Sequence, residues 1–153
     1  MKQSIAYGME KLGIPFVIVK CKGQNMYFMV DSGSSHNHLL QYAYDFFVQH
    51  FEDVIQDSEG SVYSVGLCGG VNGKVCSFSF FIDSTMYEEE FVLLPNSEVF
   101  ENMSQVLGGP ICGILGSRFL KRNNIVIDYG SQCLYTKRQK SREKTSNVAQ
   151  EAA

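Results

Sequence analysis

Asp31 stands apart from the other carboxylates of the sequence because of its neighbours. It ends the apolar run Phe28-Met29-Val30 and begins Ser32-Gly33-Ser34-Ser35. The apolar run reads as a strand and the short residues after it as a turn. Ser32 and Ser34 can bring hydroxyl donors to the carboxylate, and Gly33 lets a backbone N–H come close; such donors favour the ionised form. The motif alone fits a chemically active carboxylate, and equally an Asx-type cap on an ordinary turn. His36 and His38 form an H-x-H that could ligate a metal, but no third ligand follows at helical or strand spacing, so neither a metal nor another cofactor is expected. Five cysteines (Cys21, Cys68, Cys76, Cys112, Cys133) make an odd count with no C-x-x-C pair, which argues against a zinc knuckle or a thioredoxin-type centre. They read as reduced, mostly buried thiols. Cys68 lacks an obvious histidine to activate it as a nucleophile.

The elements that must position Asp31 follow from periodicity and turn residues. A strand is expected over 14–22, a tight turn over 22–25 and a return strand over 26–31. Apolar residues at 39, 40, 43, 46, 47, 51 and 54 approach a 3.6 period, so a helix is expected over 38–54. A turn over 57–60 leads to strands over 61–67 and 75–82, joined by the glycine-rich stretch 68–74, whose Asn72-Gly73 suits a long, mobile hairpin tip. A further short strand is expected over 90–94, 111–115 is an apolar, glycine-flanked run, and a short helix is expected over 117–122 with Ser117 as its N-cap. A closing hairpin over 125–136 turns around Gly130. Many short strands with one or two helices give a mainly β, barrel-like domain, with no internal repeat and no linker in its first 135 residues.

Taken in order, three segments carry a family resemblance: Val30-Asp31-Ser32-Gly33-Ser34, the glycine-bearing hairpin tip over 66–74, and Ile114-Leu115-Gly116 with the following Phe119-Leu120 and Ile127-Asp128-Tyr129. The sequence resembles the retropepsin-like aspartic proteases, the single-domain relatives of pepsin, over roughly residues 14–136. Ser32 stands where that family more often has Thr, no acidic residue occupies position 35, and no Gly-Arg pair follows Leu115, so the Arg–Asp brace of the viral enzymes is missing. Residues 86–109 make a longer connection than the minimal viral fold has.

The resemblance implies a closed, barrel-like acid-protease fold of one lobe per chain, occupying residues 1–136; the basic composition of 137–153, with no apolar anchor after Tyr135, reads as a disordered tail. The resemblance also implies that Asp31 is catalytic and that Ser32, Gly33, Ser34, Ile114, Leu115 and Gly116 support it. It places Gly66, Leu67, Cys68, Gly69 and Gly70 in a flap over a peptide or protein substrate. Such enzymes use two carboxylates that share one proton across a water. Only one Asp-Ser-Gly occurs: Asp57-Ser58-Glu59 and Asp83-Ser84-Thr85 lack the glycine, and Asp128-Tyr129-Gly130 lacks the hydroxyl. The second carboxylate is therefore expected from another copy of the chain, in a homodimer with Asp31 on its twofold axis. The other readings are an inactive module of this fold that dimerises or binds peptides, and an unrelated small β-barrel.

Composition narrows the partners. The chain has 153 residues and a net charge of −3. Residues 136–153 hold five basic and two acidic side chains, a balance of +3, which leaves 8 basic and 14 acidic side chains, or −6, on the body. An acidic body argues against a nucleic-acid binder. No apolar run is long enough to span a bilayer, and Glu10 and Lys11 interrupt any signal-like stretch, so a cytoplasmic protein is expected.

Overall fold

The computed structural model describes residues 1–66 and 69–138. In chain order the elements are β1 (Lys2–Ser4), α1 (Ala6–Leu12), β2 (Phe16–Cys21), β3 (Gln24–Asp31), β4 (Asn37–Leu40), α2 (Gln41–His50), β5 (Ile55–Gly66), β6 (Gly69–Ile82), β7 (Thr85–Leu94), α3 (Glu98–Leu107), β8 (Ile111–Gly116), α4 (Ser117–Arg122), β9 (Ile125–Asp128) and β10 (Cys133–Thr136). The last of these ends at Thr136, and residues 139–153, most of the expected tail, lie outside the described part.

Several boundaries differ from the expectations, each for a local reason. The first hairpin reverses in two residues, Lys22 and Gly23, both at positive φ, so β3 starts at Gln24. The helix expected over 38–54 gives up its first residues to β4, because His38, Leu39 and Leu40 are buried between two neighbouring strands. The turn expected over 57–60 is a bulge inside β5: between Asp57↔Cys76 and Ser61↔Lys74, β5 advances four residues while β6 advances two. Asn72 and Gly73 are strand residues opposite Tyr63 and Val62, not part of a loop, since pairing continues to Gly66↔Gly69. Gly116, not Ser117, is the N-cap of α4. Helix α3 occupies much of the long connection, opened by Ser97, whose hydroxyl accepts the Val99 N–H, and closed by Gly108 in the left-handed conformation.

Six strands close a barrel in the order β2-β3-β8-β4-β7-β6, with β6 returning to β2 through Val19↔Ile82 and Lys20↔Phe81. β5 lies outside this wall as the second strand of a long hairpin with β6. β1, β10 and β9 form a separate antiparallel sheet that joins the two ends of the described chain. Alternating residues of β3, β6 and β7 fill the barrel with aromatic rings: Phe28 stacks on Phe78 and Phe80 at 6.3 Å from each, and Phe91 stands edge-on to all three. A smaller apolar cluster, including Phe16, Phe100, Leu107 and Ile114, packs under α3. Cys21, Cys76, Cys112 and Cys133 are free and buried. Burial pushes the thiols of Cys21 and Cys112 up to about 11 and that of Cys76 to about 12, which makes them poor nucleophiles.

Arg122 at the end of α4 reaches the buried Glu89 of β7 at 2.9 Å, and Asn123 donates to the same carboxylate at 3.2 Å. This pair ties α4 to the barrel. No helix among the described residues is long and apolar enough to cross a membrane. Phe28→Ala opens a void among the three rings of Phe78, Phe80 and Phe91 and is expected to cost about 3–5 kcal/mol. A lower denaturant midpoint with an unchanged slope checks it.

Candidate active site

Asp31 sits at the last position of β3, where that strand runs parallel to β8 and pairs Asp31 with Gly116. The chain then leaves the sheet, turns through Ser32-Gly33-Ser34-Ser35, and returns as β4 on the far side of β8. β8 is thus held between the strand that carries Asp31 and the strand that follows it. This crossing leaves no room for a side chain at position 116. A Cβ on Gly116 would stand 2.4 Å from the His36 carbonyl oxygen and 2.8 Å from that of Ser34. Asn37, which is buried, completes the junction: its Oδ1 accepts the Gly116 N–H at 2.9 Å and its Nδ2 donates to the Glu90 carbonyl at 3.2 Å.

The turn holds Asp31 with fewer donors than the sequence suggests. Oδ1 accepts the Gly33 N–H at 2.9 Å, and the Ser34 N–H donates to the Asp31 carbonyl at 3.1 Å. The Ser34 hydroxyl is turned away and donates to the His36 carbonyl at 2.8 Å, because Ser34 is buried and its carbonyl already receives the Ser117 N–H. Ser32 and Gly33 are exposed and Asp31 is half-buried. The carboxylate therefore stands at an open edge, beneath the β5–β6 hairpin.

Five of the twelve expected site residues meet at one cavity. Asp31, Ser34, Gly66, Gly69 and Ile114 line one small cavity, with His38, Val71 and Leu94 completing its wall. Leu115, fully buried, pairs with Val30 directly behind it. Gly70 is set back from the cavity beside the ring of Tyr63. Leu67 and Cys68 lie outside the described residues. Among the described residues, Asp31 is the only carboxylate in the cavity lining.

His36 and His38 do not act together. His36 Nδ1 lies 3.0 Å from the Ser35 hydroxyl, whereas His38 is buried with Nε2 2.9 Å from the Ser64 hydroxyl. Burial lowers the pKa of both rings. Sequence reasoning missed Ser35, Asn37, His38 and Ser64 as a polar shell around the site. The available signal was the unusually polar stretch 35–38 directly before an apolar run, which a strand entering a sheet must satisfy from its side chains.

No protein-family model and no curated protein matches the chain. Among solved structures, the fold is similar to the retroviral protease-like domain of Ddi1 from Leishmania major, with a TM-score of 0.53 and 14 % sequence identity. The similarity covers 81 % of this chain and 86 % of that one. The expected fold class is thereby the observed one, a mainly β, closed, retroviral protease-like barrel, although the described residues hold four helices where one or two were expected, α1 and α3 being the additions. Within it, Asn37→Ala should strand the buried Gly116 N–H and cost about 1–3 kcal/mol. Faster amide exchange at Gly116, together with a lower denaturant midpoint, checks this.

Proposed function

We propose that the chain is an aspartic-type endopeptidase that works as a homodimer on peptide or protein substrates. The observation that carries this reading is the placement of Asp31: a lone carboxylate at the end of a barrel strand, turned by Gly33, on an exposed edge beneath a glycine-bearing hairpin, in a retroviral protease-like fold. One carboxylate cannot act as acid and base at once. A second copy, related by a twofold axis through the exposed Ser32-Gly33 turn, brings a second Asp31 opposite the first. Two carboxylates so close share one proton. The ionised one takes a proton from a water as it attacks the peptide carbonyl, and the protonated one donates to the carbonyl oxygen. The proton then passes to the leaving amine as the tetrahedral intermediate breaks its C–N bond. Val71, Leu94 and Ile114 make the wall beside Asp31 apolar, which suits an apolar side chain next to the scissile bond. A cytoplasmic setting belongs to the same proposal and draws support from the four free, buried thiols.

A second reading, an inactive module of the same fold that dimerises or binds peptides, is favoured by one observation. The cavity beside Asp31 has only about 20 Å³ of free space. That is room for about one water, far below the several hundred Å³ of a ligand pocket.

Cleavage of a diverse peptide library separates the two. In the peptidase, Asp31→Asn abolishes cleavage without changing the fold, and the rate follows a bell-shaped pH profile with an acidic to near-neutral optimum. Specific activity falls on dilution as the dimer dissociates. Retained activity in Asp31→Asn, or loss of activity to thiol alkylation with an alkaline plateau, overturns the aspartate mechanism. Ser32→Ala is expected to weaken the dimer, read as a raised dissociation constant in sedimentation.

A further inference from the structure

The β5–β6 hairpin is fastened to the loop that carries Asp31. The Ser35 N–H donates to the Val65 carbonyl at 2.8 Å, and the Val65 N–H donates back to the Ser35 hydroxyl at 2.9 Å. Beside this pair, the Ser64 hydroxyl lies 2.9 Å from His38 Nε2 and 3.4 Å from the Ser35 hydroxyl. Ser64 is 1 % exposed and His38 5 % exposed, so the contact is dry. Gly66 follows so closely over the loop that a Cβ there would stand 3.3 Å from Ser34 Cα. These contacts shut the cavity beside Asp31, and a peptide can enter only after they break.

His38 differs from the other partners because it can take up a proton. Its neutral ring satisfies Ser64 through Nε2, while Nδ1 is buried with no well-formed hydrogen bond among the described residues, the Val92 backbone of β7 being the ring's other polar neighbour. A protonated ring would carry a second N–H into that position, together with a charge in a nearly sealed space. We propose that His38 is a positioning residue that latches the lid: in its neutral form it holds Ser64, and with it the hairpin, shut over Asp31, and its protonation lets the hairpin lift to admit a peptide.

The surroundings set the direction. Burial is the largest influence and lowers the pKa of the closed ring; the Val92 backbone on β7 raises it, His36 lowers it, and the Asp31 carboxylate on β3 raises it. The wall offered by β8 is the apolar Ile114. The net shift is downward, so the closed state binds a proton less well than the lifted one. Closure is therefore firmest above the ordinary imidazole pKa of about 6.5 and weakens as the pH falls through and below it. A hinge is in place at the bulge between Asp57 and Ser61, where Gly60 sits at a φ of +89°.

The purpose of the latch rests on the peptidase reading, but its existence does not, and it is tested without substrate. Amide exchange at Ser35 and Val65 is followed in the full chain at about pH 5 and about pH 8, on either side of an ordinary histidine, and corrected for intrinsic rates. The wild type should lose about fivefold or more of its protection at these two amides in acid, the equivalent of one hydrogen bond, while amides of β3 and β8 stay protected. His38→Gln keeps a polar partner for Ser64 without titrating, and should show equal protection at both pH values. Ser64→Ala should lose protection at both. Protection in the wild type that ignores pH, pH dependence that survives in His38→Gln, or full protection in Ser64→Ala overturns the latch. The peptidase reading fails separately: exchange behaves as described, yet neither the wild type nor Ser64→Ala shows cleavage that depends on Asp31.

Discussion

The arrangement depends on a backbone crossing at which three strands meet within the width of one glycine. β3 delivers Asp31 alongside Gly116 of β8, and the chain then passes over to become β4 on the other side of β8. The insertion of β8 between β3 and β4 forces this excursion, since a strand cannot turn tightly into a position two places away in the sheet. The excursion is the loop that shapes the carboxylate's surroundings. Its carbonyls point inward at position 116, and its side chains must satisfy the polar groups that the crossing buries. Asn37 and Ser34 meet that demand from within the loop, Ser35 and His38 from its outer side. The loop and the strand order are thus one feature.

What the sequence made legible was the set of pieces with strong local signatures. Asp31, its glycine turn and the Ile114-Leu115-Gly116 strand could be placed because their neighbours allow few alternatives: an apolar run must be buried, and Ser-Gly-Ser must turn. β4 could not be placed, because Leu39 and Leu40 continue into the apolar stripe of α2 and periodicity runs on across the boundary. The hairpin tip was misjudged for a similar reason. Asn72-Gly73 is a good turn pair, but the bulge in β5 shifts the ladder, and the flanking Val62, Tyr63, Val65 and Val71 continue pairing past it. The polar stretch 35–38 signals that a shell exists, but its closure by Ser64 is not legible, because one-dimensional patterns carry no information about which distant polar residue meets which.

The long hairpin is held at both ends by unlike means. Near the barrel, Lys74 bridges Asp57 at 2.8 Å and Tyr44 at 3.1 Å, and Tyr44 donates to the same carboxylate, so α2, β5 and β6 are tied together at a solvated surface. This ties down the chain just before the bulge. At the far end the Ser64–His38 contact is dry, while the Ser35–Val65 pair beside it stays open to solvent at Val65. An exposed ion pair is screened by salt, whereas a buried hydrogen bond is not, so the two anchors respond to different solution conditions.

The barrel's closing seam adds a further consequence. β6 meets β2 through only two residue pairs, whereas β6 and β7 pair along eight. Those two pairs, as few as join β4 to β8, link segments far apart in the chain, so closing the seam carries a loop-closure cost that a hairpin does not. The strand that closes this seam is also half of the hairpin over Asp31. Breathing of the barrel and lifting of its lid therefore share one mechanical member, and a strain applied at the rim is felt at the wall.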